Sequence, residues 1–133
     1  DFARTMTDRA AGVAGPRDRL LKLGVGYVEF AVRSPALFRL MQGPALLPDE
    51  PGGELAEARA ASGVPLAEAV RACLPGATEA QVRTACAAAW SIVHGMATLF
   101  NDGRLGALVD VKDVDGTAQR IARLLDVEKV LEG

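Results

Sequence analysis

The sequence has few of the residues that metal sites and catalytic centres require. Its 133 residues include one histidine and two cysteines. A zinc site needs three or four Cys, His or carboxylate ligands, and Cys73 and Cys86 form no Cys-x-x-Cys motif. Cys86 stands two helical turns before His94, too far for a thiolate–imidazole hydrogen bond, and no third group orients the pair. We therefore predict no metal site, no cofactor, no catalytic residue and no enzymatic activity.

A basic excess and long apolar runs are also missing. The chain has 15 Lys and Arg against 17 Asp and Glu, a net charge of −2, and its basic residues are scattered. Nucleic-acid binding needs clustered cations that neutralise a row of phosphates. The sequence shows neither a signal peptide nor an apolar run of about 18 residues. It therefore predicts a cytoplasmic chain that makes no membrane contact and does not bind DNA by itself.

The two cysteines bear on the same question of compartment. An extracellular disulfide between Cys73 and Cys86 is possible, but two thiols in an alanine-rich helical chain are more typical of reduced core residues. We expect both to be reduced.

What the sequence does contain is apolar and helix-forming. Hydrophobic residues make up 50% of the chain, aromatic residues only 5% and charged residues 24%. Alanine, the best helix former, supplies much of the apolar share, and alternating β-branched runs are missing. This composition predicts one globular, all-α domain, a bundle of five to six helices.

Proline, glycine and periodicity delimit the expected helices. They are expected at residues 16–34, 35–42, 54–74, 78–101 and 116–131. The stretch 43–53 is dense in Pro and Gly and is expected to be a loop. Gly63 and Pro65 predict a kink or a break in the third helix.

Helix ends carry their own signals. Thr78 is a good N-cap, and Gln81 three residues later predicts a capping box. Asp115 is expected to cap the last helix. The segment 104–113 is expected to be a loop.

Two of these helices are apolar on more than one side. Residues 16–34 leave only a narrow polar stripe, so this helix is expected at the centre of the bundle. The helix 78–101 has two apolar faces, of which its own chain covers one. We expect a second subunit to cover the other, in a two-fold dimer that also uses the last helix. The expected interface residues are Ala85, Ala88, Ile92, Met96, Leu99, Ile121 and Leu125.

Two blocks of sequence resemble a known family. The run 89–99 (AWSIVHGMATL) contains Trp-x3-His-Gly, and upstream stand 27–31 (YVEFA) and 34–41 (SPALFRLM). Together they resemble one C-terminal-domain class of the TetR family of transcriptional repressors, over residues 16–131. The resemblance implies a small-molecule effector, a homodimer and release of operator DNA.

The resemblance also implies how the domains are arranged. Residues 1–15 resemble the end of the linker helix that follows the helix-turn-helix of this family. We therefore expect residues 1–133 to form a single ligand-binding and dimerisation domain. Operator DNA would be bound only through a domain absent from this chain.

The candidate effector site follows from the resemblance and from the spacing of Trp90 and His94, one helical turn apart. It is expected between the helices 16–34 and 54–74 and the Trp90/His94 face, taken to point inward. The expected ligand-binding residues are Tyr27, Phe30, Phe38, Met41, Trp90 and His94.

Each assignment has a plainer alternative. Trp90 and His94 are equally well read as core residues, with His94 bonded to a carbonyl or a tyrosine. For Phe30 and Phe38 simple core packing is favoured. If no cavity adjoins these residues, the alternative function is a stand-alone helical module that binds a protein partner.

Overall fold

A computed structural model describes residues 15–42 and 54–132, together with Arg4, Asp8 and Gly12; side chains are described for 15–40 and 64–132. Every regular element in this part of the chain is a helix, as an all-α domain requires. The α-helices are α1 (Pro16–Arg33), α2 (Pro35–Gln42), α3 (Glu54–Cys73), α4 (Glu79–Asn101) and α5 (Val114–Ala122). Two 3₁₀ helices, η1 (Leu105–Ala107) and η2 (Val127–Glu132), complete them. The expectations for 1–15 as a linker helix and for 43–53 as a loop lie outside the described residues.

The start of α4 confirms the predicted capping box. The Thr78 hydroxyl accepts a hydrogen bond from the Gln81 backbone N–H at 3.1 Å, and the Gln81 side chain accepts one from the Thr78 N–H at 2.9 Å. Two of the four N–H groups that a helix start leaves unpaired are thereby satisfied.

Gly63 and Pro65 do not break α3, which contains both residues; a kink there stays a prediction. The predicted start of the last helix is wrong. It begins two residues earlier than expected, because Asp113 rather than Asp115 accepts the hydrogen bond from the Gly116 N–H.

That last helix is also not continuous. It stops after Ala122, and the Asp126 carboxylate then accepts from the Glu128 N–H. An aspartate that bonds the backbone two residues ahead competes with helix continuation, so a separate 3₁₀ helix follows.

Helix α1 is central, as its narrow polar stripe predicts. Every residue from Val25 to Ala31 is buried, and α1 contacts α2, α3, α4 and α5. The crossing with α4 is close at Gly24, where an added Cβ atom would lie 3.1 Å from Val93 Cγ1. The missing side chain at Gly24 therefore lets the two helix backbones approach.

The end of α1 is tied to the end of α4. Pro35 has no N–H, so the carbonyl of Ala31, four residues before it, loses its usual helical donor. The Asn101 side-chain amide donates to that carbonyl at 3.0 Å. A long-range bond thus replaces the missing local one and sets the position of α4 against α1.

The apolar core has two parts. The first lies where α1 packs on α4 and α5, and includes Val28, Val93 and Ala97. The second lies where the end of α3 meets the start of α4 and η2, around Val70 and Val82. Cys73 is buried in this second part and Cys86 packs partly against it; both are free thiols. Burial raises the pKa of both thiols, as expected for unreactive core residues.

Candidate functional site

Four aromatic side chains from three helices meet on one side of the bundle. Tyr27 comes from α1 and Phe38 from α2, while Trp90 and His94 stand one turn apart on α4. We call these four residues the aromatic cluster. The Tyr27 and Phe38 rings meet edge to face at 5.8 Å between centroids. The His94 ring lies 5.5 Å from Phe38 and 5.5 Å from Trp90.

Hydrogen bonds join the polar atoms of the cluster. The Trp90 indole N–H donates to the Tyr27 hydroxyl oxygen at 3.3 Å. The same oxygen lies 3.0 Å from His94 Nδ1. The bond between Tyr27 and His94 connects residues 67 positions apart in sequence, so it depends on the packing of α1 against α4.

Tyr27 is held in a poorly hydrated position. Burial raises its pKa from 10.0 to about 12, and the hydrogen bond from Trp90 opposes this only in part. The phenol is therefore neutral at physiological pH, because burial penalises the charged phenolate.

Exposure divides the cluster into an inner and an outer part. Tyr27 and Phe38 are buried, and His94 is partly exposed. The expectation that Trp90 points inward is wrong, because 48% of its surface is exposed. Trp90 lies on the flank of α4 rather than on its buried face, and its ring covers the edge of the cluster. The cluster therefore has a buried polar centre at Tyr27 and an exposed edge at Trp90.

The other two expected ligand-binding residues lie elsewhere. Phe30 is buried in the first core with Leu23 and Val28. The Met41 side chain lies outside the described residues.

The expected interface residues are only partly available to a second subunit. Ala85 and Met96 are buried by their own chain, which corrects their assignment to an outer face. Three more are partly buried against the two cores: Ile92, Ile121 and Leu125. Ala88 and Leu99 are exposed.

Sequence reasoning missed a cavity that none of the cluster residues lines. A half-open cavity of about 240 Å³ is lined by Glu29, Val32, Arg33, Val114 and Asp115. Within it Arg33 pairs with the buried Glu29, an i,i+4 pair that the sequence does show. The approach of α5 to α1 is what turns this pair into a cavity wall, and no local pattern signals that approach.

In the described part of the chain, no three His, Cys, Asp or Glu side chains stand close enough together to hold a metal ion. None of the helices described is long and apolar enough to cross a membrane.

The fold defines a class of protein: an all-α domain built around a central helix. The chain belongs to the tetracyclin repressor-like C-terminal domain family, whose model matches residues 20–125. Domains of this family are regulatory and typically dimerise and bind small-molecule effectors. No curated protein and no solved structure matched the chain.

Proposed function

We propose that this chain is the effector-sensing and dimerisation domain of a TetR-like transcriptional repressor. A small, mostly apolar ligand binds at the aromatic cluster and controls DNA binding by a helix-turn-helix outside this chain. The observation that carries the proposal is the half-exposed Trp90 ring beside His94, hydrogen-bonded to a buried tyrosine. Family membership over residues 20–125 supports the same role.

The chemistry of the aromatic cluster favours a neutral ligand. Its side chains are aromatic, and its polar atoms are a phenol, an indole N–H and an imidazole. Small-ligand sites are mostly apolar with a few polar groups that fix orientation. A flat apolar compound can stack on Trp90 without displacing an ion pair.

Fluorescence tests this proposal directly, because Trp90 is the only tryptophan in the chain. Neutral fused-ring aromatic compounds should change its emission and raise the melting temperature, since a ligand that binds only the folded state stabilises it. Trp90→Ala and His94→Ala should weaken the thermal response. Leu124→Ala, at a side chain 85% exposed, is the matched control and should leave it unchanged. A domain whose emission and melting temperature respond to none of the compounds does not bind this ligand class.

A protein partner is the second candidate, and one observation favours it. Besides the half-exposed Trp90 on α4, α2 exposes 45% of Leu37 and 63% of Leu40, and the two helices meet where Phe38 contacts His94. Exposed aromatic and leucine side chains on neighbouring helices are typical of a surface that another protein covers. Under this alternative no small compound binds, whereas Trp90→Glu abolishes association with the partner.

The homodimer is proposed through the outer face of α4. Small side chains line this face, and its Thr84 and Ser91 hydroxyls are turned back onto helix carbonyls at 3.0 and 2.7 Å. Gly95 adds to it, because a Cβ atom there would meet nothing within 4 Å. A smooth surface of this kind lets a second helix approach closely, with Ala88 and Leu99 as the contact residues that remain exposed.

A further inference from the structure

The hydrogen bonds of the aromatic cluster have a direction. An indole N–H can only donate, so Trp90 must donate to the Tyr27 oxygen. The next bond joins that oxygen to His94 Nδ1, and in a neutral imidazole one nitrogen donates while the other accepts. Which nitrogen of His94 carries the proton decides what the site offers to a ligand.

A one-way chain is the arrangement that uses all three groups best. If the Tyr27 hydroxyl donates to Nδ1, the bonds run from indole to phenol to imidazole, each polarising the next. In the opposite tautomer the Trp90 N–H and the His94 Nδ1–H would both donate to the Tyr27 oxygen, and the Tyr27 hydroxyl would no longer donate to His94. In the one-way chain Nδ1 accepts, and the proton of the neutral imidazole is on Nε2.

His94 Nε2 is open to solvent. It makes no hydrogen bond to any residue of the described segments, and no described side-chain N or O atom is both buried and without a partner. The imidazole lies against the buried Phe38 ring and the half-exposed Trp90 ring, tilted from them by 40° and 52°. A ligand that reaches Nε2 can therefore also contact the exposed face of Trp90.

We propose that His94 Nε2–H is the group that selects the effector, so that the site takes flat apolar compounds carrying a hydrogen-bond acceptor such as a carbonyl oxygen. This inference rests on the proposed effector-binding function. Tyr27 orients the imidazole and does not contact the ligand. Compounds whose only polar group is a donor find no partner at Nε2.

The tautomer can be measured without any ligand. His94 is the only histidine, so protein labelled with the nitrogen isotope in histidine gives one pair of imidazole nitrogen signals. Multiple-bond proton–nitrogen correlation spectra distinguish the protonated nitrogen from the bare one. We expect the neutral ring to be protonated at Nε2, and Tyr27→Phe to mix the two tautomers because the orienting hydroxyl is gone. A ring protonated at Nδ1 in the unaltered protein would overturn the inference.

The ligand class is tested with a matched pair of probes. Methyl naphthyl ketone and isopropenylnaphthalene have nearly the same shape, but only the ketone accepts a hydrogen bond. We expect the ketone to bind about tenfold more tightly, the effect of one net hydrogen bond, and to shift the Nε2 signal. His94→Phe should remove this difference and leave hydrocarbon binding in place, whereas His94→Gln, which keeps an N–H donor, should restore part of it.

The outcomes separate the two proposals. Equal binding of ketone and hydrocarbon to the unaltered protein overturns the role of Nε2–H while effector binding stands. If neither probe nor any other aromatic compound binds, the proposed function fails, and the tautomer measurement still decides the state of His94.

Discussion

At the scale of the residue, Tyr27 holds the aromatic cluster together. Its oxygen joins an exposed residue, Trp90, to His94, and its ring supports Phe38. It is also the only tyrosine in the chain, so its ionisation can be followed without interference. The absorbance of its tyrosinate form therefore reports on the aromatic cluster directly.

The first prediction concerns alkaline pH. The folded-state pKa of Tyr27 is raised to about 12 from 10.0, so its contribution to stability is fully present below pH 10. It is lost between pH 10 and about 12, where the unfolded chain already ionises. The free energy of unfolding should fall by roughly 2–3 kcal/mol over this window from this residue. Urea unfolding and tyrosinate absorbance measure the two effects.

Tyr27→Phe is the control for this prediction. Its free energy of unfolding at neutral pH should be lower by about 1–2 kcal/mol, because two hydrogen bonds are lost. Above pH 10, however, it should lack the fall in the free energy of unfolding that Tyr27 ionisation causes. Ionisation of Tyr27 in the folded protein near pH 10 would contradict the assignment of a buried phenol.

At the scale of the element, α4 depends on its first turn. We expect Thr78→Ala to lower the free energy of unfolding by about 1 kcal/mol, since it removes the hydroxyl that caps the Gln81 N–H. Thr84→Ala is the matched control: Thr84 lies on the same helix, is exposed and bonds only the carbonyl of Ala80. It should be neutral or slightly stabilising, because alanine is the better helix former. Equal losses for the two variants would show that the cap contributes nothing.

The crossing of α1 and α4 allows a second test at this scale. Gly24→Ala puts a Cβ atom 3.1 Å from Val93 Cγ1. Val93 is buried, and a β-branched side chain in a helix has one strongly preferred rotamer. The valine cannot turn away, so we expect a net loss of about 1 kcal/mol even though alanine favours the helix.

Two further variants isolate that contact. Gly95→Ala adds a Cβ atom that meets nothing within 4 Å of its own chain. Measured in an Ala88→Glu monomer, where the proposed dimer contact plays no part, it should stabilise the helix by up to about 1 kcal/mol. In a Val93→Ala background Gly24→Ala should also stabilise its helix, because the Val93 Cγ1 atom that opposes the added Cβ atom is gone. A non-additive double-mutant cycle in chemical denaturation would identify the close approach as the cause, and additive values would show that Val93 plays no part.

At the scale of the whole molecule, the question is what covers the outer face of α4. We expect a dimer in sedimentation at micromolar concentration, and Ala88→Glu to convert it to a folded monomer, because an unpaired charge in an interface costs several kcal/mol. Ala88 is exposed within its own chain, so the monomer can accommodate the glutamate. Ala72→Glu makes the same change at an exposed position of α3 and should leave the dimer intact. A monomer before any substitution would contradict the dimer.

Most of the fold follows from local patterns. The structure contains the elements that three local signals predict. These signals are the apolar faces of α1, the capping box at Thr78 and the helix starts at Pro16 and Pro35. They can be recognised in the sequence because propensity and capping act over a few residues. The predictions that failed, a break at Pro65 and the bounds of the last helix, concern places where a continuing helix competes with a local break.

The candidate site was predictable only in part. The family resemblance and the spacing of Trp90 and His94 made Tyr27, Phe38, Trp90 and His94 candidates, together with Phe30 and Met41. The sequence by itself determined an all-α domain with a central helix, poor in the residues that catalysis and metal binding use. Only the tertiary structure decided that Trp90 is half exposed, that Ala85 and Met96 are covered by their own chain, and that Tyr27 bonds His94. The reason is geometric: helix periodicity places side chains on a face, but the crossing of α1 and α4, set by Gly24 and by the Asn101–Ala31 bond, decides which face is covered.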